Sequence, residues 1–432
     1  MSGVFVGQTL SLRIDQPAVG GWMIGRAGGQ VILIDGAIPG EHVSARIDRV
    51  GRGVAFATTV SVDEPSADRR EFPDRTCGGC LYAHIAYERQ LDIKSVVILD
   101  AFARTGRLDL PAKPTIRPSL AQGYRMRARL HRRGRRLGFF REGTHEICNA
   151  RATGQLLSDT CRVIEELEAA LDDPAADTVR EVEVSENVNA TERVLHLDAG
   201  PGLEDRRLDR VSSAPGVSGV TAGGAAEGAR VLSGSPFVTD VFEVHGRTPV
   251  TVRRHVSAFF QGNRFLLRDL VTHVVEQVPD GSRVTDLYAG GGLFALAVAR
   301  ARDARVVAVE GDRASASDLV ANAAAADAAV TPVHQSVEAF VESARLDTDL
   351  VIVDPPRTGL SREALQGVIR MRSARILYVS CDVATLARDA RRLADAGYAI
   401  TSAEGFDMFP NTPHVEMVVV FEEGSKGARS GK

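Results

Sequence analysis

The chain lacks any long apolar run. None of its hydrophobic stretches approaches the ~20 residues that a membrane-spanning helix requires. Residues 1–16, MSGVFVGQTLSLRIDQ, also lack the charged segment followed by an apolar segment that is typical of a secretory signal. These absences predict a cytoplasmic protein that does not enter a membrane.

Cysteine is scarce, and basic residues are not in excess. There are five cysteines, an odd number, and two of them stand in the tetrapeptide CGGC at residues 77–80. In a reducing compartment this pattern favours metal binding or catalysis over a framework of disulfides. The net charge of −4 excludes a chain coated with basic residues, although a local basic patch can still bind nucleic acid.

The length of 432 residues is enough for about three domains of roughly 150 residues each, and the patterning changes accordingly. Residues 1–62 contain short alternating strands between glycine turns, which predicts an OB-like β-barrel, either a holder of oligonucleotides or a plain barrel. Residues 63–240 mix helices and strands in a central α+β domain. Residues 241–424 alternate strands and helices, which predicts a Rossmann-like, doubly wound parallel sheet. Residues 425–432 are polar, and we expect a disordered tail there.

The central domain contains a basic segment, YRMRARLHRRGRRLGFFREG, at residues 124–143. Its arginines alternate with apolar and aromatic residues, which predicts a β-hairpin. Arginines interleaved with Tyr124, Phe139 and Phe140 suit phosphate contacts and base stacking. A solvated face is the alternative interpretation of the same pattern.

Reactive or acidic side chains end several predicted strands of the C-terminal region. Asp286 precedes the glycines of DLYAGGGLFA, Glu310 ends VVAVE, Asp354 ends VIVD, and Cys381 follows YVS. Because ligands of open α/β sheets bind at the carboxyl ends of the strands, we expect these side chains to lie on one rim. The first two acids suit S-adenosylmethionine, which offers a cationic amino acid and ribose hydroxyls and has no pyrophosphate; turn glycines that serve only packing are the alternative.

Cys381 has two interpretations. A lone cysteine is usually a buried structural residue. Its position at a strand end favours a nucleophile instead, because a thiolate can attack the electron-poor C6 of a uracil ring. The resulting enolate can accept a methyl group at C5, and Glu416, just before the last strand, can then remove the C5 proton. Alone, Glu416 would be a solvated strand-end charge.

The segment SAFFQGNRFL precedes the sheet and carries two adjacent aromatic residues. Phe259 and Phe260 can stack on a base, and Gln261 can bind a polar edge. Two core aromatics are an equally good interpretation.

The C-terminal region resembles the RNA uracil-C5 methyltransferases, a class I S-adenosylmethionine-dependent family that acts on ribosomal and transfer RNA. The resemblance covers about residues 257–421 and lies in six motifs in the family's order: FFQGN, DLYAGGGLF, VEGD, DPPRTGL, YVSCDVATLARD and DMFPNTPHVEMV. It implies that Cys381 is the nucleophile and Glu416 the base. It also implies that S-adenosylmethionine is bound by Gln261, Tyr288, Glu310 and Asp354, with Ser336 as a looser match.

The N-terminal segment GGWMIGRAGGQVILIDGAIPGEHVSARI, residues 20–47, resembles a TRAM domain, the RNA-binding barrel found on the ribosomal members of that family and absent from its bacterial transfer RNA member. The resemblance implies 23S ribosomal RNA as the partner; separately, we expect the protein to be a monomer. Transfer RNA as the substrate of the same chemistry, and a catalytically idle RNA-binding protein of the same fold, are the alternatives.

Ribosomal members often carry an iron–sulfur site of four cysteines. Cys77 and Cys80 match the paired ligands and Cys148 the distant one, but the first position is Glu71, and no cysteine lies upstream. The resemblance implies a 4Fe-4S cluster with an unusual fourth ligand, a zinc ion, or a site that has degenerated.

Overall fold

The computed structural model describes residues 3–72, 74–172, 178–200, 214, 216–224, 229–244, 249–343 and 347–424. It confirms the predicted multidomain architecture of barrel, central α+β unit and α/β sheet. The predicted disordered tail, residues 425–432, lies outside the described residues. Across the described ranges, no helix is both long and apolar enough to cross a membrane.

The N-terminal barrel is a sheet with the strand order β1-β5-β6-β4-β3-β2. Its strands are β1 (Thr9–Arg13), β2 (Gln16–Pro17), β3 (Met23–Ala27), β4 (Gln30–Asp35), β5 (His42–Val50) and β6 (Val54–Glu64). Every second residue faces inward, so Ile32, Ile34 and Val43 are fully buried. Gly28 and Gly29 join β3 to β4 with φ of 56° and 85°, the positive values that a two-residue type I′ hairpin turn requires.

A helix and a short strand follow the barrel, α1 (Tyr87–Ala101) and β7 (Thr115–Arg117). The central sheet comes next, in the order β10-β9-β8-β11-β12-β13-β14, with α2 (Ser158–Ala170) packed against it. Its strands are β8 (Arg127–Arg133), β9 (Arg136–Phe140), β10 (Ile147–Asn149), β11 (Val179–Glu186), β12 (Arg193–Ala199), β13 (Gly219–Ala222) and β14 (Arg230–Gly234). The antiparallel pairing of β8 with β9 forms the predicted hairpin.

The C-terminal unit begins with a two-stranded ribbon, β15 (Phe237–Phe242) and β16 (Val250–His255), and continues as the catalytic sheet. The strands of that sheet are β17 (Arg283–Leu287), β18 (Arg305–Glu310), β19 (Val330–His334), β20 (Leu350–Val353), β21 (Arg375–Ser380), β22 (Tyr398–Phe406) and β23 (Glu416–Glu423). The helices are α3 (Leu267–Glu276), α4 (Leu293–Arg302), α5 (Arg313–Ala325), α6 (Val337–Ser343), α7 (Arg362–Met371) and α8 (Val383–Asp395).

The catalytic sheet has the order β19-β18-β17-β20-β21-β23-β22-β7. Strands β17 to β21 run parallel, and β23 lies antiparallel beside β21. Apolar side chains of β20 and β21 are buried on both faces, as expected for strands covered by helices on each side. The parallel strands therefore present their carboxyl ends along one edge.

The segment from α1 to β7 belongs with the catalytic sheet and not, as predicted, with the central domain of residues 63–240. Strand β7 pairs in parallel with β22, so that Ile116 lies opposite Gly405. Helix α1 has apolar residues on two faces: Ile98 packs in the core of the catalytic sheet, and Ile93 packs in the core of the barrel. Because one helix buries surface against both units, it joins the barrel to the catalytic sheet.

Candidate active site

A cavity of about 690 Å³ opens at the carboxyl edge of the catalytic sheet. All six side chains predicted for catalysis and cofactor binding line it: Gln261, Tyr288, Glu310, Asp354, Cys381 and Glu416. The looser match, Ser336, is not among the lining residues; its hydroxyl accepts a hydrogen bond from the Ala339 amide, 3.3 Å away, at the start of α6.

The strand register brings Cys381 and Glu416 together. Strands β21 and β23 are antiparallel, and Ser380 pairs with Met417. Cys381 leaves the carboxyl end of β21 where Glu416 enters the amino end of β23, so the two side chains share the rim although 35 positions separate them in the sequence. The thiol is half-buried, and Glu416 is 2% exposed.

Burial dominates the electrostatics of this pair. Burial and the neighbouring Glu416 raise the pKa of Cys381 to about 12. Burial and Asp354 likewise raise the pKa of Glu416 well above its usual range. The guanidinium of Arg357 opposes both shifts. Arg357 also lines the cavity, and it favours the ionised forms of both groups.

Two further acids lie at the same edge: Asp354 is partly exposed on the cavity wall, whereas Asp286 is fully buried and is not among the lining residues. The Gln261 amide Nε2 donates to Asp354 Oδ2 at 3.3 Å, yet burial raises the pKa of Asp354 to about 7. Asp286 is fully buried, and within the described residues neither carboxylate oxygen makes a hydrogen bond of normal length and angle, although the Ala295 backbone amide favours its ionised form. Burial, and then Asp354, raise the pKa of Asp286 well above its usual range. A cationic ligand would relieve this concentration of buried carboxylates.

Glu310 and the glycine turn form a second part of the cavity. The Glu310 carboxylate accepts hydrogen bonds from the Gly290 amide at 2.8 Å and the Asp312 amide at 2.6 Å, which fix its orientation at the end of β18. Each carboxylate oxygen has a further lone pair for a ligand hydroxyl. Gly290 has φ of 56°, and a Cβ atom there would meet no atom within 4 Å, so its backbone borders open space. Tyr288, with φ of 63°, adopts the left-handed conformation that is unusual for a bulky residue.

The loop after Asp354 is held by helix α8. The Asp389 carboxylate accepts hydrogen bonds from the Leu360 amide at 2.9 Å and the Tyr378 hydroxyl at 2.8 Å. A Cβ atom on Gly359, whose φ is 73°, would lie 2.6 Å from Asp389 Oδ2, so glycine is required there. The motif residues TGL and ARD therefore act together to fix the backbone that carries Arg357.

The two adjacent aromatics have different environments. Phe259 is 63% exposed at the cavity wall, and Arg127 lies 5.9 Å from its ring centroid. Phe260 is 5% exposed, packs in the hydrophobic core and has the guanidinium of Arg254 over its ring at 4.1 Å. Both rings line the cavity, but Phe259 alone of the predicted stacking pair exposes enough surface for a base to stack on it.

The basic segment of the central domain also contributes to the cavity, through the residues at its beginning. Arg125 and Arg127, at the start of β8, line it together with Tyr124. The tip of the hairpin has other partners: Arg135 pairs with Asp172 and Arg136 with Glu168. Tyr124 and Phe139, predicted to stack on bases, are 1% and 6% exposed and belong to the interior.

The cysteines predicted as metal ligands lie in one core cluster, away from the cavity. Cys77 and Cys148 are joined by a disulfide with a Cα–Cα distance of 5.7 Å, and Cys80 is a buried free thiol. Glu71 is exposed. Within the described ranges, no group of three or more His, Cys, Asp or Glu side chains is arranged to hold a metal ion. The residues as placed do not fit a cluster, and metal binding stays a prediction.

Known proteins that are similar to this chain include RNA methyltransferases. The family model described as tRNA (Uracil-5-)-methyltransferase matches residues 217–424, and the TRAM domain model matches residues 3–60. A 23S rRNA (uracil(1939)-C(5))-methyltransferase of Methylococcus capsulatus is 30% identical over 442 residues, which cover 96% of this chain and 97% of that protein. An uncharacterized RNA methyltransferase of Thermotoga maritima is 30% identical over 443 residues, with 96% and 99% covered.

A solved structure shares the fold. The crystal structure of Pyrococcus abyssi tRNA (uracil-54, C5)-methyltransferase in complex with S-adenosyl-L-homocysteine superposes with a TM-score of 0.74. Its sequence is 22% identical, and the match covers 95% of this chain and 100% of that chain.

Proposed function

The chain belongs to the RNA uracil-C5 methyltransferases, and from this membership we propose that it methylates C5 of a uridine in 23S ribosomal RNA. The methyl donor is S-adenosylmethionine, and the reaction passes through a covalent bond between Cys381 and C6 of the uracil. The observation that carries the proposal is the convergence of Cys381, Glu416, Asp354 and Glu310 on one cavity at the carboxyl edge of the sheet.

S-adenosylmethionine suits the chemistry of this cavity. It supplies a methyl group on a positively charged sulfur, and it also carries an ammonium group. Asp354 offers a carboxylate on the cavity wall, and the fully buried Asp286 near it adds a second negative charge that favours a cation. Glu310 offers lone pairs for ribose hydroxyls, and Gly290 leaves the backbone open to close approach. We assign the holding of the cofactor to Gln261, Tyr288, Glu310 and Asp354.

Cys381 then acts as the nucleophile. Its thiolate forms a bond to C6 of the uracil, and the electron pair of the C5=C6 double bond moves into an enolate. The thiolate is the ionised form that Arg357 favours against burial. Methyl transfer to C5 leaves a saturated ring with a proton on the same carbon.

Glu416 completes the reaction as the base. It removes the C5 proton, the double bond re-forms, and the bond between Cys381 and C6 breaks. Burial favours the protonated form of Glu416 in the free protein, whereas Arg357 favours the carboxylate.

The RNA is bound by the barrel and by the wall of the cavity. Phe259 provides an exposed ring for stacking, and Arg125 and Arg127 provide cations beside it. Ribosomal RNA is favoured as the substrate because the relative from Methylococcus capsulatus, 30% identical to this chain, is named a 23S rRNA methyltransferase.

The test is to map 5-methyluridine in ribosomal and transfer RNA from a deletion strain and its parent. We expect one or more 23S positions to lose the modification in the deletion strain and regain it with the wild-type gene, but not with Cys381→Ala. Loss in transfer RNA alone would favour the alternative substrate, and no loss in either RNA would contradict the proposal.

A further inference from the structure

Helix α1 carries a buried polar stripe. Tyr87, Gln90 and Lys94 stand at positions i, i+3 and i+7, so they lie on one face of the helix. Gln90 and Lys94 are each 1% exposed. Buried polar groups of this kind need partners, and these partners show what the helix face does.

All three side chains bind the loop between β22 and β23, residues 407–415. The Lys94 ammonium pairs with Asp407 and also donates to the Phe409 carbonyl at 3.3 Å. The Tyr87 hydroxyl donates to Asp407 Oδ2 at 2.7 Å. The side chains of Lys94 and Asp407 are both 0% exposed, so this ion pair is shielded from solvent.

The middle of the loop is fixed in the same way. Gln90 Nε2 donates to Asn411 Oδ1 at 3.0 Å, and Gln90 Oε1 accepts from the Asn411 amide at 3.0 Å. Asn411 has φ of 64°, a conformation that costs energy and persists when surrounding bonds impose it. From the opposite side, Asn263 Nδ2 donates to the Met408 carbonyl at 3.2 Å.

This loop determines where two cavity residues stand. Phe409 lies within it and lines the cavity, and Glu416 follows its last residue directly. Strand β21, whose end Cys381 follows, receives no hydrogen bond or ion pair from Tyr87, Gln90 or Lys94 within the described residues. The stripe therefore acts on the side of the cavity that holds Glu416.

We propose that Lys94, with Tyr87 and Gln90, is a positioning residue for Glu416: helix α1 sets the β22–β23 loop so that the carboxylate reaches the C5 proton. This inference rests on the proposed function, in which Glu416 is the base. Loss of the ammonium leaves Asp407 a buried, unpaired charge, and the loop must shift to hydrate it. A displacement of about 1 Å at a catalytic group slows its step roughly 100-fold.

The expected signature is a change in partitioning. Attack by Cys381 and methyl transfer precede the step that uses Glu416, so a misplaced base leaves the methylated RNA attached to the protein. Lys94→Met should therefore raise the ratio of denaturation-resistant protein–RNA adduct to released 5-methyluridine RNA by roughly 10- to 100-fold on ordinary uridine RNA. A lower yield of folded protein changes both quantities equally and leaves the ratio unaltered.

Matched variants separate positioning from general destabilisation. Arg69→Met breaks another ion pair with a buried carboxylate. Arg69 Nη2 lies 2.6 Å from Glu41 Oε2, the Glu41 side chain is 0% and the Arg69 side chain 22% exposed, and the pair joins the segment after β6 to the barrel. Its adduct ratio should equal that of the wild type. Tyr87→Phe keeps the ion pair and removes one bond to Asp407, so it should raise the ratio by a smaller factor, and it decides the matter if Lys94→Met does not fold.

Glu416→Gln is measured in the same experiment. If it accumulates adduct while Lys94→Met and Tyr87→Phe keep the wild-type ratio, the positioning role is wrong and the proposed function stands. The positioning role is also wrong if Arg69→Met raises the ratio as much as Lys94→Met. Absence of adduct in Glu416→Gln contradicts the proposed function itself.

Discussion

Phe259 and Phe260 are neighbours in the sequence, but we expect substitution of Phe259 to weaken RNA binding and substitution of Phe260 to lower folding stability. Phe259 is 63% exposed at the cavity wall, so Phe259→Ala removes little core packing. A base stacked on an aromatic ring contributes about 1–3 kcal/mol, so we expect RNA affinity to fall by roughly 5- to 150-fold with unchanged folding stability. Phe260 is 5% exposed, and Phe260→Ala should cost about 3–5 kcal/mol of unfolding free energy.

The assay pairs fluorescence anisotropy with a uridine-containing RNA and urea unfolding of the same variants. Phe265→Ala is the matched control, because Phe265 is 38% exposed in the same segment and is not among the residues that line the cavity. It should leave RNA affinity within about twofold of the wild type, which is a small change in binding free energy because a tenfold change in affinity corresponds to ~1.4 kcal/mol. Wild-type affinity in Phe259→Ala, or equal losses in Phe259→Ala and Phe265→Ala, would refute the stacking role.

Three other predictions concern the cofactor and the cysteines. Glu310→Ala should weaken S-adenosylmethionine binding by about 1–3 kcal/mol in calorimetric titration, because ligand hydroxyls and the Gly290 amide lose their acceptor; unchanged affinity would remove Glu310 from the site. The pKa of Asp354 is about 7 and its carboxylate favours a cation, so cofactor affinity should rise up to about tenfold from pH 6 to 8. Asp354→Asn should flatten this pH profile; if the profile persists in the variant, the pH dependence belongs to another group. Denatured, unreduced protein should titrate three free thiols, because Cys77 and Cys148 are bonded to each other. Methylation should not depend on that disulfide, and five thiols together with bound iron would favour the cluster.

The raised pKa of Asp354 also makes folding stability depend on pH. Burial raises the pKa of Asp354 above that of an exposed aspartate, so the folded protein holds this proton over a range where the unfolded chain has lost it. Its contribution to stability therefore decreases as the pH rises from about 4 to about 7. A cofactor cation would offset that loss.

Sequence patterns located the rim residues because strand ends are visible in the sequence. Glu310, Asp354 and Cys381 each follow a run of apolar, β-branched residues, and parallel topology brings such ends to one edge. Arg357 could have been found from the same signal, since it follows the two prolines after Asp354. Its effect on Cys381 depends on the turn geometry that α8 imposes.

Other residues of the site could not be predicted, because their roles arise from packing between distant segments. Arg125 and Arg127 reach the cavity because their segment bonds to a distant one: the Met126 amide donates to the Gly262 carbonyl at 3.0 Å. Phe259 and Phe260 are adjacent residues of a loop, and one ring is exposed while the other is buried. A loop has no regular hydrophobic periodicity, so the sequence does not indicate which of the two rings is buried. Lys94 stands among apolar residues of an amphipathic helix, and its partner Asp407 lies 313 positions away.

The central claim is the covalent bond between Cys381 and C6 of the target uridine. Fluorine at C5 cannot be removed by a base, so 5-fluorouridine RNA should stop the reaction after methyl transfer. Wild-type protein with this RNA and S-adenosylmethionine should give a complex that survives denaturing electrophoresis, and Cys381→Ala should give neither complex nor methylated RNA. Methylation that persists in Cys381→Ala would show that the thiol is a structural residue and would contradict the mechanism.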